Sequence, residues 1–521
     1  MAVVPGSASH YLCWRNILLF CACLYLFADN KTGVVALSKR YHLGRYWHGF
    51  LGEPTKIPSL QREREVPDLW FEQPLDHFSD AANKPTWKQR YFVNDEYYRN
   101  DSTAPIFLMI GGEAEASKKW MREGAWIHYA EHFGALCFQL EHRFYGKSHP
   151  TSDLSTENLQ YLTSKQALAD LGAFVLAMKE QYNLAPSQKW IAFGGSYPGS
   201  LAAWAREKYP DLIYGSISTS GPLLAKLDFT EYFEVVKASL ASYKSECVDA
   251  VAKGFAQVEI LLKHMIGQRT LDEKFKTCTP IKDSIENNLD ISNLFENIAS
   301  DFAGVVQYNK DNSPHAKITI DEVCDVMLNT TIGPPVTRLA AVNSMILEEA
   351  NEKCLDYKYD KMIKEMQNIS WTSEVAKGAR QWTWQTCNEF GFYQTSEKPS
   401  DTFGDRFKLD FFVKQCMDIY GDNMNSDYLN SVISSTNAYY GGLKPTTTNV
   451  LYVHGSIDPW HALGLIKPIN KNTPTIYIEG TAHCANMYEP IKTDPPQLVE
   501  ARHKILKFLA QLLEGYTATK M

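Results

Sequence analysis

Three residues of this 521-residue chain have the types and order needed to make a serine hydroxyl reactive: Ser196, Asp458 and His483. A serine is a useful nucleophile once an imidazole takes its proton. The imidazole does this best when a carboxylate fixes its tautomer and stabilises its charged form. Ser196 lies in Gly194-Gly195-Ser196-Tyr197-Pro198-Gly199, after the apolar run Trp190–Phe193 and before the helical run Gly199–Lys208. That is the strand, tight turn and helix of a nucleophile elbow. The usual elbow has glycine two places after the serine; here Pro198 stands there and glycine follows at 199. Proline is tolerable because the first helical turn has backbone N–H groups without helical partners. Asp458 follows the apolar run that ends in Val453-His454-Gly455, and His483 follows the next one in Gly480-Thr481-Ala482-His483-Cys484. Donors for a developing oxyanion are expected from the backbone N–H of Tyr197, at the start of the helix, and from Gly112 in the turn Gly111-Gly112-Glu113. Two rival signals are weaker. His128-Tyr129-Ala130-Glu131-His132 matches a short zinc-peptidase pattern but offers no third ligand, so no metal or cofactor is expected. Cys387 has the surroundings of a disulfide half and not of a nucleophile.

These residues need a frame that holds strand ends side by side. Between about 104 and 220, short apolar runs alternate with helical patterns, the mark of βαβ units and a mostly parallel sheet. The expected strands are Ile106–Ile110, Ala135–Leu140, Trp190–Phe193 and Ile213–Ser218. In Ser164–Tyr182, Leu168, Leu171, Phe174, Val175 and Met178 recur at helical steps and should form one buried face. From 226 to 425 the pattern changes to long amphipathic helices such as Phe229–Met265. Strands resume at Asn449–Val453 and Thr475–Ile478, and the amphipathic helix Leu498–Leu513 closes the chain. The fold class expected is therefore α/β: an α/β-hydrolase core in two parts, 65–225 and 426–521, interrupted by a helical cap at 226–425.

The bulk numbers agree with a folded secretory protein. Hydrophobic residues make up 45% and charged residues 21% of the chain, and the net charge of −8 argues against a nucleic-acid partner. Arg15 precedes the apolar run Ile17–Ala28, so residues 1–28 are expected to be a cleaved signal peptide, followed by a poorly ordered segment at 29–64. No later run is long enough to span a bilayer. Cys137, Cys247, Cys278, Cys324, Cys354, Cys387, Cys416 and Cys484 remain after the signal; their even number and wide spacing suggest disulfides. Sequons at Asn30, Asn100, Asn329 and Asn368 fit a glycosylated, secreted or lysosomal protein.

Several longer motifs carry a resemblance. Phe71-Glu72-Gln73-Pro74-Leu75-Asp76-His77-Phe78, Glu141-His142-Arg143-Phe144-Tyr145-Gly146-Lys147-Ser148, Trp384-Gln385-Thr386-Cys387-Asn388-Glu389-Phe390-Gly391 and Gly455-Ser456-Ile457-Asp458-Pro459-Trp460 join the Ser196 turn in this. Over about 65–515 the chain resembles the prolyl carboxypeptidase, dipeptidyl peptidase II and thymus-specific serine protease family, and the thymus-specific branch most nearly. The resemblance implies a Ser196, Asp458 and His483 triad, a helical cap over the site, and short peptide substrates cut near one end with a preference around proline. It also implies that Glu113 and Trp460 lie beside the substrate, with Glu113 able to meet a peptide amine. Pro198 and His454 stand where that family more often has a small residue and an asparagine. An esterase or lipase on the same fold, or a silent binding protein, is the alternative, and a homodimer is left open.

Overall fold

The computed structural model describes residues 53–54, 65–81, 83–310, 318–397 and 402–513. The expected signal peptide, Asn30 and nearly all of the segment at 29–64 lie outside them. Among the described residues there are ten strands. They are β1 (Leu69–Pro74), β2 (Thr86–Asn94), β3 (Ile106–Ile110), β4 (Leu136–Leu140), β5 (Trp190–Gly195), β6 (Gly215–Thr219), β7 (Lys226–Asp228), β8 (Gly391–Tyr393), β9 (Val450–Gly455) and β10 (Thr475–Ile478). Eight of them form one sheet in the order β1-β2-β4-β3-β5-β6-β9-β10, and β7 pairs with β8 separately. From β4 to β10 every pairing is parallel, while β1–β2 and β2–β4 are antiparallel. This is the α/β-hydrolase core expected from the sequence.

The central strands β3, β4, β5, β6 and β9 are buried at every position, as a sheet covered on both faces requires. Continuous apolar runs made β3, β5 and β9 legible. Helices Ala125–Phe133 and Pro496–Leu512 cover one face, where Phe107, Phe193, Ile217, Leu451 and Val453 meet Phe133, Ile505 and Leu509. Helix Ser164–Gln181 covers the other with the face anticipated above; Phe174 packs edge-on against Phe71, Tyr91 and Phe138. Each apolar side chain buried this way contributes roughly 1.5–3 kcal/mol.

Two expectations need correction. The single long helix over Phe229–Met265 is two helices, Glu231–Tyr243 and Ser245–Leu262, parted at Lys244, whose backbone is extended (φ −160°, ψ 136°). Leu240, Cys247 and Val251 keep helical spacing across the break, so periodicity could not reveal it. The two helices pack against each other, and the Cys247–Cys324 bridge anchors the second. The cysteines also differ. Cys247–Cys324, Cys278–Cys354 and Cys387–Cys416 are bridged, all between β6 and β9, whereas Cys137 and Cys484 are buried free thiols. The sheet resumes at Val450, after the helix Ser426–Tyr440. No described helix is long and apolar enough to cross a membrane.

Candidate active site

Ser196 follows β5 in a conformation that L-residues avoid (φ 65°, ψ −134°), held by its N–H donating to Thr219 O at 3.0 Å. A strained residue persists only where its surroundings over-determine it, which makes this turn a candidate for function. The displaced glycine of the elbow has a packing reason. A Cβ on Gly199 would lie 2.4 Å from Thr219 O, so here the helix Tyr197–Lys208 approaches the end of β6 too closely for a side chain. Pro198 instead faces the turn after β3: a Cβ on Gly112 would lie 2.4 Å from Pro198 Cγ. The Gly112 turn and the first turn beginning at Tyr197 are thus in van der Waals contact, as two oxyanion donors would have to be.

Asp458 and His483 meet at the ends of β9 and β10. Asp458 Oδ1 lies 2.8 Å from His483 Nδ1 and accepts the N–H of Trp460 at 3.0 Å. A carboxylate can only accept, so Nδ1 carries a proton in either charge state, and the neutral imidazole has its lone pair on Nε2. Both side chains are fully buried. Burial works against charge on each, yet their mutual attraction wins. Asp458 is held below the usual carboxylate range and His483 well above the usual histidine value. The loop carrying His483 is tied to the end of β6 next to the elbow: Cys484 N–H donates to Ser220 Oγ and Asn486 Nδ2 to Thr219 Oγ1, each at 3.0 Å. Ser196 is itself only 2% exposed.

Behind the elbow is a network that the sequence pointed to only as family motifs. His142 Nδ1 donates to Arg143 O at 2.7 Å, which leaves Nε2 to accept from the Tyr197 hydroxyl at 3.0 Å. Gln385 Nε2 donates to that hydroxyl at 3.1 Å, and Gln385 Oε1 accepts from Tyr145 at 2.7 Å. Burial pushes His142 down to about 4, so it is neutral in this role. Arg143 is clamped on Asp170 by two 2.6 Å bonds, which fixes the segment that carries His142. Glu389, on the next turn after Gln385, accepts from Ser164 N and Oγ; burial pushes its carboxyl up to about 7.

The remaining residues singled out by sequence are placed as follows. Glu113 is buried and, with Gly112, Pro198, Lys118, Trp120 and Trp371, lines a cavity of about 840 Å³. Trp460 does not line it, and neither do Ser196, Asp458 and His483. The Trp460 ring is enclosed by Phe229, Tyr232 and Phe392 and its Nε1 donates to Gln307 Oε1. Gln307 and its neighbour Tyr308, which stands edge-on to His483, had no signal in the sequence. His128 pairs with Glu489 and His132 packs edge-on against Phe133; among the described residues no three ligating groups gather to hold a metal. Cys387 is bridged to Cys416. Asn100, Asn329 and Asn368 are exposed.

The chain is 35% identical over 454 residues to the thymus-specific serine protease of Mus musculus, covering 85% of this chain and 87% of that protein. It is 26% identical over 489 residues to the lysosomal Pro-X carboxypeptidase of Bos taurus, covering 89% and 93%. Among solved structures, a carboxyl esterase from Bacillus coagulans aligns over 86% of this chain and 99% of its own, at 11% identity and a TM-score of 0.34. The family model for serine carboxypeptidase S28 matches residues 73–505, and the chain belongs to that family of serine peptidases.

Proposed function

We propose that the protein hydrolyses short peptides through an acyl-enzyme on Ser196, with His483 as general base and Asp458 as its orienting carboxylate. In the acylation step the Ser196 Oγ–H proton passes to His483 Nε2 while Oγ attacks the scissile carbonyl carbon. The backbone N–H groups of Tyr197 and Gly112 receive the oxyanion. Asp458 stabilises the imidazolium, which then gives its proton to the leaving amine; water repeats the sequence to release the acid. The observation that carries this reading is the 2.8 Å contact of Asp458 Oδ1 with His483 Nδ1 at neighbouring strand ends, on a loop tied to the Ser196 elbow.

The helical stretch 226–425 is proposed to cap the site and to exclude folded proteins. In support, Ser196 and His483 are almost wholly enclosed and Gln307 of that stretch contacts the His483 loop. Cleavage from a peptide end, with a preference near proline, is proposed from the likeness to the lysosomal Pro-X carboxypeptidase. Three disulfides and that lysosomal relative support passage through the secretory pathway, with glycans on Asn100, Asn329 and Asn368.

The test is to incubate the purified protein, beside a Ser196→Ala control, with a mixed peptide library at acidic and neutral pH, and to locate cuts by mass spectrometry. Ser196-dependent removal of one or two residues from an end is expected. Ester hydrolysis without peptide cleavage would overturn the peptidase reading in favour of an esterase. Failure of a fluorophosphonate to label Ser196 would overturn both.

A further inference from the structure

We infer that Gln307 is a positioning residue that holds the Asp458 and His483 loops in their working geometry from the helical stretch between β6 and β9. The inference rests on the roles proposed above for Ser196, His483 and Asp458. Gln307 is the last residue of helix Asn288–Gln307 and is fully buried. Its backbone carbonyl accepts the N–H of His483 at 2.9 Å. Its side-chain Oε1 accepts from Trp460 Nε1 at 2.8 Å and from the Tyr232 hydroxyl at 2.7 Å, while Nε2 donates to the Tyr308 hydroxyl at 3.0 Å. An indole nitrogen can only donate, which fixes the amide with Oε1 toward Trp460 and Nε2 toward Tyr308.

Three of these four bonds reach the reacting groups within one step. Trp460 donates its own backbone N–H to the same Asp458 Oδ1 that receives His483 Nδ1. Tyr308 sets its ring edge-on to the His483 imidazole, at 6.1 Å and 90°. One residue therefore grips the main chain of the base, the loop of the carboxylate and the aromatic ring beside the imidazole. A helix end that moved would displace all three together, so the seating of the helical stretch and the alignment of His483 are one equilibrium. Buried amides of this kind specify geometry because leaving their partners unsatisfied is costly.

Gln307→Met keeps the volume and leaves Trp460 Nε1–H and the Tyr232 hydroxyl without their acceptor. Gln307→Glu keeps an acceptor for Trp460 and Tyr232, and the Tyr308 hydroxyl can turn to donate to the second oxygen. Three quantities are measured on the full chain: kcat and KM on a peptide that the wild type cuts, the rate of fluorophosphonate labelling, and the downfield proton resonance of the His483–Asp458 hydrogen bond. Misplacement by about 1 Å lowers rates about 100-fold. Gln307→Met is expected to lose that much in kcat and in labelling rate with KM little changed, and to lose or shift the resonance. Gln307→Glu is expected to recover most of the loss. A Gln307→Met protein that keeps the wild-type resonance and labelling rate overturns the inference, as does a rise in KM at constant kcat. Should Gln307→Met not fold, a Gln307→Glu protein with the wild-type resonance but no gain in labelling over Ser196→Ala overturns it as well. A wild type that has the resonance, loses it in Gln307→Met, yet never labels Ser196 supports the positioning role and sinks the peptidase reading, which separates the two.

Discussion

Replacing Gly112 by alanine tests the contact between the turn after β3 and the elbow. The backbone of Gly112 is not in the left-handed region, so the only obstacle to a side chain is space. The added Cβ would meet Pro198 Cγ at 2.4 Å and Cδ at 2.8 Å. Carbon atoms in good contact sit about 3.5–4.0 Å apart. The overlap is therefore more than about 1 Å, and a proline ring fixed in the first turn of a helix cannot rotate away from it. The turn must retreat by a comparable amount. Overpacking of this kind costs about 1–3 kcal/mol, and retreat of the proposed oxyanion donor by about 1 Å costs about 100-fold in rate. In Pro198→Ala the Cγ and Cδ are gone, and the nearest remaining atom is Cβ at 3.9 Å, an ordinary contact. The Gly112→Ala penalty should then largely vanish, giving a coupling of about 2 kcal/mol between the two sites. The assay is kcat/KM, fluorophosphonate labelling rate and melting temperature for the wild type, both single variants and the double variant. A double variant as impaired as Gly112→Ala, with effects additive to within about 0.5 kcal/mol, would refute the packing argument; so would a fully active Gly112→Ala.

Glu389 should give the protein a pH-dependent stability that Glu389→Gln removes. Its folded carboxyl is pushed up to about 7 from an unfolded value of 4.5, so the folded state holds a proton that the unfolded chain releases. That contribution is fully present below 4.5 and is lost as the pH rises to 7, about 3 kcal/mol in all at 1.36 kcal/mol per unit. The difference in unfolding free energy between variant and wild type, measured with denaturant at pH 4.5 to 7.5, isolates the effect from His142 and His454. Those two, pushed down to about 4 by burial, act in the opposite direction, losing stability as the pH falls from 6.5. A difference that does not vary with pH would refute the assignment. Cys387→Ala with Cys416→Ala opens a bridge between residues 29 apart and should cost about 3–4 kcal/mol of stability. An unchanged denaturation midpoint would show that the bridge does not restrain the unfolded chain.

The features that reside in a few consecutive residues were readable without coordinates. Strands β3, β5 and β9 are apolar runs because a covered parallel sheet has no wet face. Ser196 stands out because its glycines and proline punctuate a strand-to-helix turn. Asp458 and His483 stand out because each follows such a run, in an order that the sheet turns into proximity. The break at Lys244 and the free thiols of Cys137 and Cys484 were not readable, since each depends on what lies opposite in space. The same holds for the glycine at 199. In the sequence it looks one place late, and only the approach of Thr219 O explains it. Gln307 marks the boundary most sharply: nothing in its neighbours distinguishes it from any glutamine at a helix end, because its partners Tyr232, Trp460 and His483 lie 75, 153 and 176 residues away and are brought to it by the fold alone.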